Sequence, residues 1–295
     1  MEKEQPTTAK SFFEYGMGLD IDPNSRICAQ AYRLLGHISL DLAQPRTGLA
    51  AYQKSLAARE ELEGPGSPAV AEVLDSIACS YVEIGDVPRA LEYLAKANEI
   101  NLAHFDKPSA RTQAIYSIAY LRGNQPDKAL EALHLCWALQ NKAQEEIEES
   151  DYPKHAGDIM LLARIRYALG EKHEGQRLAS RSITIRQGLF GAKGPRVADS
   201  MFIVARMLQE AGEQLVAAKM YRDIVEMSLE VAEMRGHLAR ALWFQASVEE
   251  GLNNTAESEK LKKEAKEIRA QIQNREALDE DTDEAFMALV EWMLW

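Results

Sequence analysis

The chain has 295 residues, 46% of them hydrophobic, and a formal net charge of −12 with a pI near 5.1. That apolar content suffices for a folded core and excludes global disorder, while the acidic balance disfavours non-specific binding to nucleic acid or to anionic membranes. No apolar run approaches the length of a membrane span, and no basic start precedes a short apolar stretch, so neither a spanning helix nor a secretory leader is expected.

Residues 1–10 are polar, and residues 11–19 are aromatic but interrupted by Gly16 and Gly18. Residues 1–26 read as an N-terminal cap or flexible segment, the alternative being a short docking motif in 11–19. Asp22-Pro23-Asn24-Ser25 then starts a series of helix pairs near 27–62, 70–105, 110–150, 156–190, 198–235 and 239–274. The second pair is the clearest. Leu74, Ile77, Ala78 and Tyr81 share one stripe at helical spacing, Gly85 closes the helix, Asp86 caps the next, and Pro88 sits harmlessly in its first turn. Ala90, Leu94 and Ala97 form the stripe of the second helix. In the third pair the second helix is expected to run from Pro126 through Ser150, its acidic end solvated and Trp137 in the core.

Beyond residue 274 lies an acidic hinge, Glu276 to Glu284, and then an apolar helix capped by Asp283 and running to Trp295. Phe286, Leu289, Val290 and Met293 share one stripe, widened by Trp292 and Trp295. This helix is too short for a bilayer and too apolar to stand in water. Three readings follow: a cap on the last helix pair, an internal ligand that a partner displaces, or a contact with a second copy or a partner.

Three correlated columns run through the pairs. A small residue recurs at Gly36, Ala78, Ser117, Ala163, Ala205 and Ala246; a turn residue follows at Ala43, Gly85, Asn124, Gly170, Gly212 and Asn253; and a second small residue follows at Gly48, Ala90, Ala129, Gly175, Ala217 and Ser258. The pattern resembles the tetratricopeptide repeat, a helix–turn–helix unit. With a period of about 42 residues rather than 34, and recurrent loops such as Glu63-Gly64-Pro65-Gly66-Ser67-Pro68 and Phe190-Gly191-Ala192-Lys193-Gly194-Pro195, it resembles the kinesin-light-chain form. The resemblance covers about residues 27–274. The segments RALEYLAKANEI, YPKHAGDIMLLARIRYALG and GPRVADSMFIVARMLQEAG look most like stand-alone or effector-linked repeat proteins of filamentous fungi. The resemblance implies an all-α, right-handed α-solenoid, the tetratricopeptide superhelix, of about six helix–turn–helix repeats with capping termini.

The chain offers little for catalysis. Its six histidines make neither HxxxH nor HExxH, His155 and Asp158 sit where helix capping is the commoner role, and GxGxxG, GxxxxGK[ST] and GxSxG are absent. Cys28, Cys79 and Cys136 have no metal-ligand spacing and read as buried thiols of a reducing compartment. No enzyme activity, cofactor or metal site is expected.

The functional surface must then come from the repeats. In tetratricopeptide proteins a stripe beside the packing face of each first helix lines the groove. Carried over to repeats four to six, that stripe holds Arg164 and Tyr167, Phe202 and Arg206, and Arg240 and Trp243. Guanidinium groups beside aromatic rings suit a protein or an acidic, apolar peptide, since the guanidinium binds carboxylate bidentately and stacks on rings. The competing reading pairs these arginines with Asp199 and Glu250 to hold the array together. Departures from known clamps also stand out. Arg33, Asp75 and Cys79 replace the Lys and Asn of the chaperone-tail clamp. Leu34, Ser76, Ile115, Leu161, Ile203 and Phe244 replace the kinesin-light-chain groove Asn. The leading expectation is a cytoplasmic or nuclear interaction scaffold with no nucleic-acid or membrane partner, able to self-associate through its C-terminal helix. The alternatives are an accessory protein of a fungal biosynthetic (secondary-metabolite) or regulatory assembly, which positions or stabilises an enzyme, and a small-molecule sensor.

Overall fold

The structure, a computed structural model, describes residues 11, 25–152, 155–229, 231–272, 274 and 276–293. The aromatic stretch 12–19 and Trp295, to which the sequence assigned capping roles, lie outside the described residues. Those residues form fourteen α-helices and one 3-10 turn, with no strand among them.

The chain divides into two compact units, 2–146 and 147–295. The first holds α1 (Arg26–Asp41), α2 (Pro45–Glu63), α3 (Pro68–Ile84), α4 (Val87–Phe105), α5 (Ala110–Arg122) and α6 (Pro126–Leu139). A short α7 (Gln144–Glu149) spans the division. The second unit holds α8 (His155–Ala168), α9 (Lys172–Phe190), α10 (Pro195–Glu210), α11 (Gln214–Ser228), a 3-10 turn (Ala232–Met234), α12 (Arg235–Gly251), α13 (Thr255–Arg269) and α14 (Asp283–Met287). Consecutive helices pack as pairs: α1 with α2, α3 with α4 and α5 with α6 in the first unit, and α8 with α9, α10 with α11 and α12 with α13 in the second.

The three sequence columns explain the pairing. All six turn residues sit at positive φ: Ala43 at 54°, Gly85 at 88°, Asn124 at 55°, Gly170 at 90°, Gly212 at 87° and Asn253 at 65°. A left-handed residue there ends one helix and reverses the chain into the next. Ser67 and Asp86 cap α3 and α4 by accepting from Val70 N and Arg89 N, at 3.3 Å each. Both small-residue columns are buried, and Ser117 Oγ reaches across its pair to donate to Ala129 O at 2.7 Å. At Gly175 a Cβ would fall 2.8 Å from Ala163 O and from Tyr167 Cβ, so α8 and α9 touch backbone to backbone. Cys28, Cys79 and Cys136 are free and buried.

Two helices differ from expectation. The second helix of the third pair stops at Leu139 instead of continuing to Ser150. Asn141 turns left-handed at φ 56°, and Asn141 N and Lys142 N bond back to Ala138 O and Trp137 O at 3.0 Å each. The acidic run after this break is not simply solvated. Ile147 is fully buried, and Arg177 and Arg181 bind Glu148 and Asp151 at 3.4 and 3.2 Å. The apolar C-terminal helix is also shorter, covering only Asp283–Met287. Its cap is Thr282, whose hydroxyl accepts from Ala285 N at 3.2 Å, rather than Asp283. The carboxylate and rings of this segment are taken by side chains of other helices.

The close approach predicts opposite outcomes at two helical glycines of α9. Gly175→Ala should lower the stability by about 1–3 kcal/mol, because the clash with Ala163 and Tyr167 outweighs helix propensity. Gly188→Ala, where a Cβ meets nothing within 4 Å, should raise it by about 0.5–1 kcal/mol. Thermal melts followed by far-UV circular dichroism check both.

Candidate functional site

In the second unit the stripe residues lie on the first helix of each pair: α8, α10 and α12. Between α10 and α12, Arg240 binds Asp199 at 3.0 Å, His237 Nε2 lies 3.1 Å from the same carboxylate oxygen, and the Arg240 guanidinium covers the Phe202 ring at 4.0 Å. Phe202 and Arg240 are only 1% and 4% exposed, so both sit inside the seam between the two helices. Arg206 is half-buried, 3.5 Å from Glu210, with its guanidinium over Phe244 at 4.7 Å. Tyr167 donates its hydroxyl to Met207 O at 2.8 Å, tying α8 to α10. The pairing of Arg240 with Asp199 is one the sequence raised. Glu250 goes elsewhere, to Lys262 of α13 at 2.5 Å.

The remaining two residues, Arg164 and Trp243, meet the C-terminal segment. Trp243 stacks on Phe286 at 4.2 Å and 9°, and its Nε1 donates to Asp283 Oδ1 at 2.8 Å. Such a stack contributes about 0.5–1.5 kcal/mol beyond its buried area. Arg164 lays its guanidinium over the Trp292 ring at 3.8 Å and donates to Trp292 O at 3.2 Å. Between these two anchors Leu289 and Val290 join the apolar core of the unit, and Glu291, 7% exposed, pairs with Arg196 of α10. On the acidic side, Arg269 of α13 covers Phe286 from 4.7 Å and bonds to Asp281 at 3.0 Å and to Glu280 O, while Lys266 binds Asp281 at 3.0 Å.

The segment therefore crosses α12, α10 and α8 as a strap rather than as an amphipathic helix on the last pair. Gly236 makes room for it: a Cβ there would lie 2.4 Å from Leu289 O. Sequence reasoning missed Gly236, Arg196 and Arg269, none of which lies in a stripe column. A glycine in the first turn of a helix, outside all three repeat columns, is the one available signal.

In the first unit the corresponding stripe is also zipped between successive first helices. Arg33 of α1 lies 3.7 Å from Glu72 of α3, and Arg111 of α5 lies 3.7 Å from Asp75 of α3. Asp75 accepts from Thr112 Oγ1 at 3.1 Å, and Asn101 donates to the same Thr112 oxygen at 3.3 Å. A cleft of about 400 Å³ opens beside Asp75, lined also by Glu72, Phe105, Lys107 and Arg111. Burial lifts the Asp75 carboxyl to about 7 against the opposing pull of Arg111 and Thr112, and it pushes the Cys79 thiol up to about 12. Burial, aided by Arg111 and Arg33, lowers His37 to about 4. At neutral pH Cys79 is thus a thiol and His37 a neutral acceptor for Tyr52, 2.8 Å away, so the cluster offers neither thiolate nor imidazolium. Asp199 is the opposite case. Burial would raise its carboxyl, but His237, Arg240 and Arg196 overcome that and hold it well below the usual carboxylate range.

Residues 27–103 match the family model of the tetratricopeptide repeat. No curated protein sequence matches the chain. Among solved structures, Rap protein complexed with Competence and Sporulation Factor aligns with a TM-score of 0.61 at 14% identity, covering 97% of this chain and 78% of that one. BtubC (BKLC) from P. vanneervenii aligns with a TM-score of 0.54 at 18% identity, covering 77% and 91%. A structure from Podosopora anserina, described as a kinesin light chain with nearly identical TPR-like repeats, is 20% identical over 70% of this chain and 97% of that one, with a TM-score of 0.46. Among the described residues no helix is long and apolar enough to cross a membrane.

The two buried aspartates predict pH effects of opposite sign. Asp199, depressed in the folded chain, contributes stability above the unfolded carboxylate pKa of about 3.9, and that contribution is lost as pH falls. Asp199→Asn should cost about 3–5 kcal/mol at pH 7, because it strands the buried Arg240 charge, and the deficit should shrink in acid. Asp75, raised to about 7, has its full stabilising effect only below about pH 3.9 and loses it as pH rises through 7. Asp75→Asn should match the wild type at pH 4 and be more stable at pH 8. Melting points across pH 2–8 test both signs, the Asp199 effect below about pH 3.9 and the Asp75 effect above it.

Proposed function

We propose that the chain, whose residues 27–103 match the tetratricopeptide repeat, works on its helix pairs as a non-catalytic scaffold that binds a protein or an acidic, apolar peptide. The binding face in this reading is that of α8, α10 and α12. Arg164, Arg206 and Trp243 contact the ligand, while Tyr167, Phe202 and Arg240 hold the three helices in register. One observation carries the reading: Arg164 and Trp243, on two different first helices, each grip an aromatic residue of an acidic, apolar segment. Guanidinium stacking and bidentate carboxylate binding are the two things that face can do for a peptide. The Rap structure is a complex with Competence and Sporulation Factor, which supports a fold able to hold a bound factor. The working place in this reading is the cytoplasm, in keeping with three free, buried cysteines.

A sensor of small molecules is favoured by a different observation, the cleft beside Asp75 in the first unit. Thermal shifts separate the two, because a ligand that binds the folded state raises its melting point. If metabolites alone shift the melt and acidic aromatic peptides do not, the scaffold reading falls. The direct test is charge reversal. Arg164→Glu combined with Arg206→Glu should weaken binding of such peptides at least about tenfold, the scale of one lost charged hydrogen bond, while the helical signal and the cooperative melt are kept. Loss of the fold, or unchanged affinity, would count against the assignment.

A further inference from the structure

We propose that the C-terminal segment 279–293 is an internal ligand that occupies the partner's place, and that the partner presents the same chemistry: an acidic run, an aromatic residue, an apolar pair three and four positions on, then a carboxylate and a second aromatic. This deepens the reading above and rests on it.

The segment belongs to no helix pair, and its helix, Asp283–Met287, is five residues long. What holds it is a set of side-chain grips spread over four helices, each matched to one feature of the segment. Lys266 and Arg269 take the acidic run, Trp243 takes Phe286, Arg196 takes Glu291, and Arg164 takes Trp292. The backbone is read as well, through Arg164 on Trp292 O and the close approach of Leu289 O to Gly236. Backbone grips and spaced side-chain sites are how a surface recognises an extended peptide. A cap needs only to cover apolar surface, and a glycine that admits a backbone and cations aligned with carboxylates are more than covering requires.

The tether that leads into the segment is open. Among the described residues no helix lies between Arg269 and Asp283, and the intervening carboxylates Asp279 and Glu280 are exposed. A tethered ligand of this kind competes at an effective concentration of about millimolar, so it lowers the apparent affinity of any external ligand by the fraction of time the face is covered.

The test uses the full-length chain and a fluorescein-labelled synthetic peptide of residues 279–293, titrated by anisotropy. Two tail variants are compared with the wild type: Trp292→Ala, which removes the ring over Arg164, and Phe286→Ala with Trp292→Ala, which removes both aromatic anchors. The double variant should bind the peptide at least about tenfold more tightly than the wild type, with the single variant between them. Arg164→Glu in the double-variant background should abolish the gain. If all the chains bind equally, or the variants bind more weakly, the internal-ligand proposal is overturned while the binding face stands. If none binds, the binding face itself is wrong. Should the double variant lose its cooperative melt, the half-exposed Trp292 makes the single variant the deciding comparison.

Discussion

The backbone contact inside each helix pair is the constraint on which the rest depends. Where Gly175 meets Ala163 and Tyr167 there is no space for a methyl group, and Ser117 is close enough to bond a carbonyl of its partner helix. An approach that tight fixes the rotation of each helix about its axis. Once rotation is fixed, the residues three and four places away on the first helix are committed to the neighbouring first helix, whatever their chemistry. The polar seams follow from that: Arg33 with Glu72 and Asp75 with Arg111 in one unit, Asp199 with Arg240 in the other. Charges meet there because packing brought the positions together and complementary residues made the contact bearable.

The seams differ in how completely the charge is compensated, and this decides their chemistry. Asp199 faces two cationic or polar groups at about 3 Å and remains a carboxylate. Asp75 has Arg111 only at 3.7 Å, and one of its oxygens is buried with no hydrogen-bond partner, so burial dominates and the proton is retained far longer. The same desolvation keeps the Cys79 thiol protonated. A polar cluster of histidine, cysteine and aspartate is therefore inert here for a physical reason.

The features that repeat were legible in the sequence. The small residues and left-handed turns recur because every pair solves the same packing problem, and six copies expose a pattern that one would hide. Features that occur once were harder. The break after Leu139 rests on a single left-handed Asn141, a residue that also occurs within helices. The arginine and aromatic stripe was visible as a set, but its division was not. Arg240 turns inward because Asp199 lies on the facing helix, and Phe202 lies beneath its guanidinium, whereas Arg164 and Trp243 turn toward the strap. Periodicity places a residue on a face; it does not say whether a neighbour already occupies that face.

The strap and the seams use the same side-chain types with different consequences for stability. Breaking the seam at Asp199 strands a charge that is almost fully buried, a large penalty that ties the pair to the global fold. Lifting the strap breaks one ring stack and two cation–π contacts, returns Glu291 and Asp281 to water, and exposes the buried side chains of Phe286, Leu289, Val290 and Met293, at about 1.5–3 kcal/mol each. Opening the strap therefore costs mainly apolar surface, which a partner with the same residues covers again, whereas opening a seam strands a buried charge. A surface that keeps its shape when its cover lifts is the physical requirement for exchange between an internal ligand and an external one. The pair of α8 and α9 satisfies it because its geometry is set by the backbone contact at Gly175, which does not involve the strap.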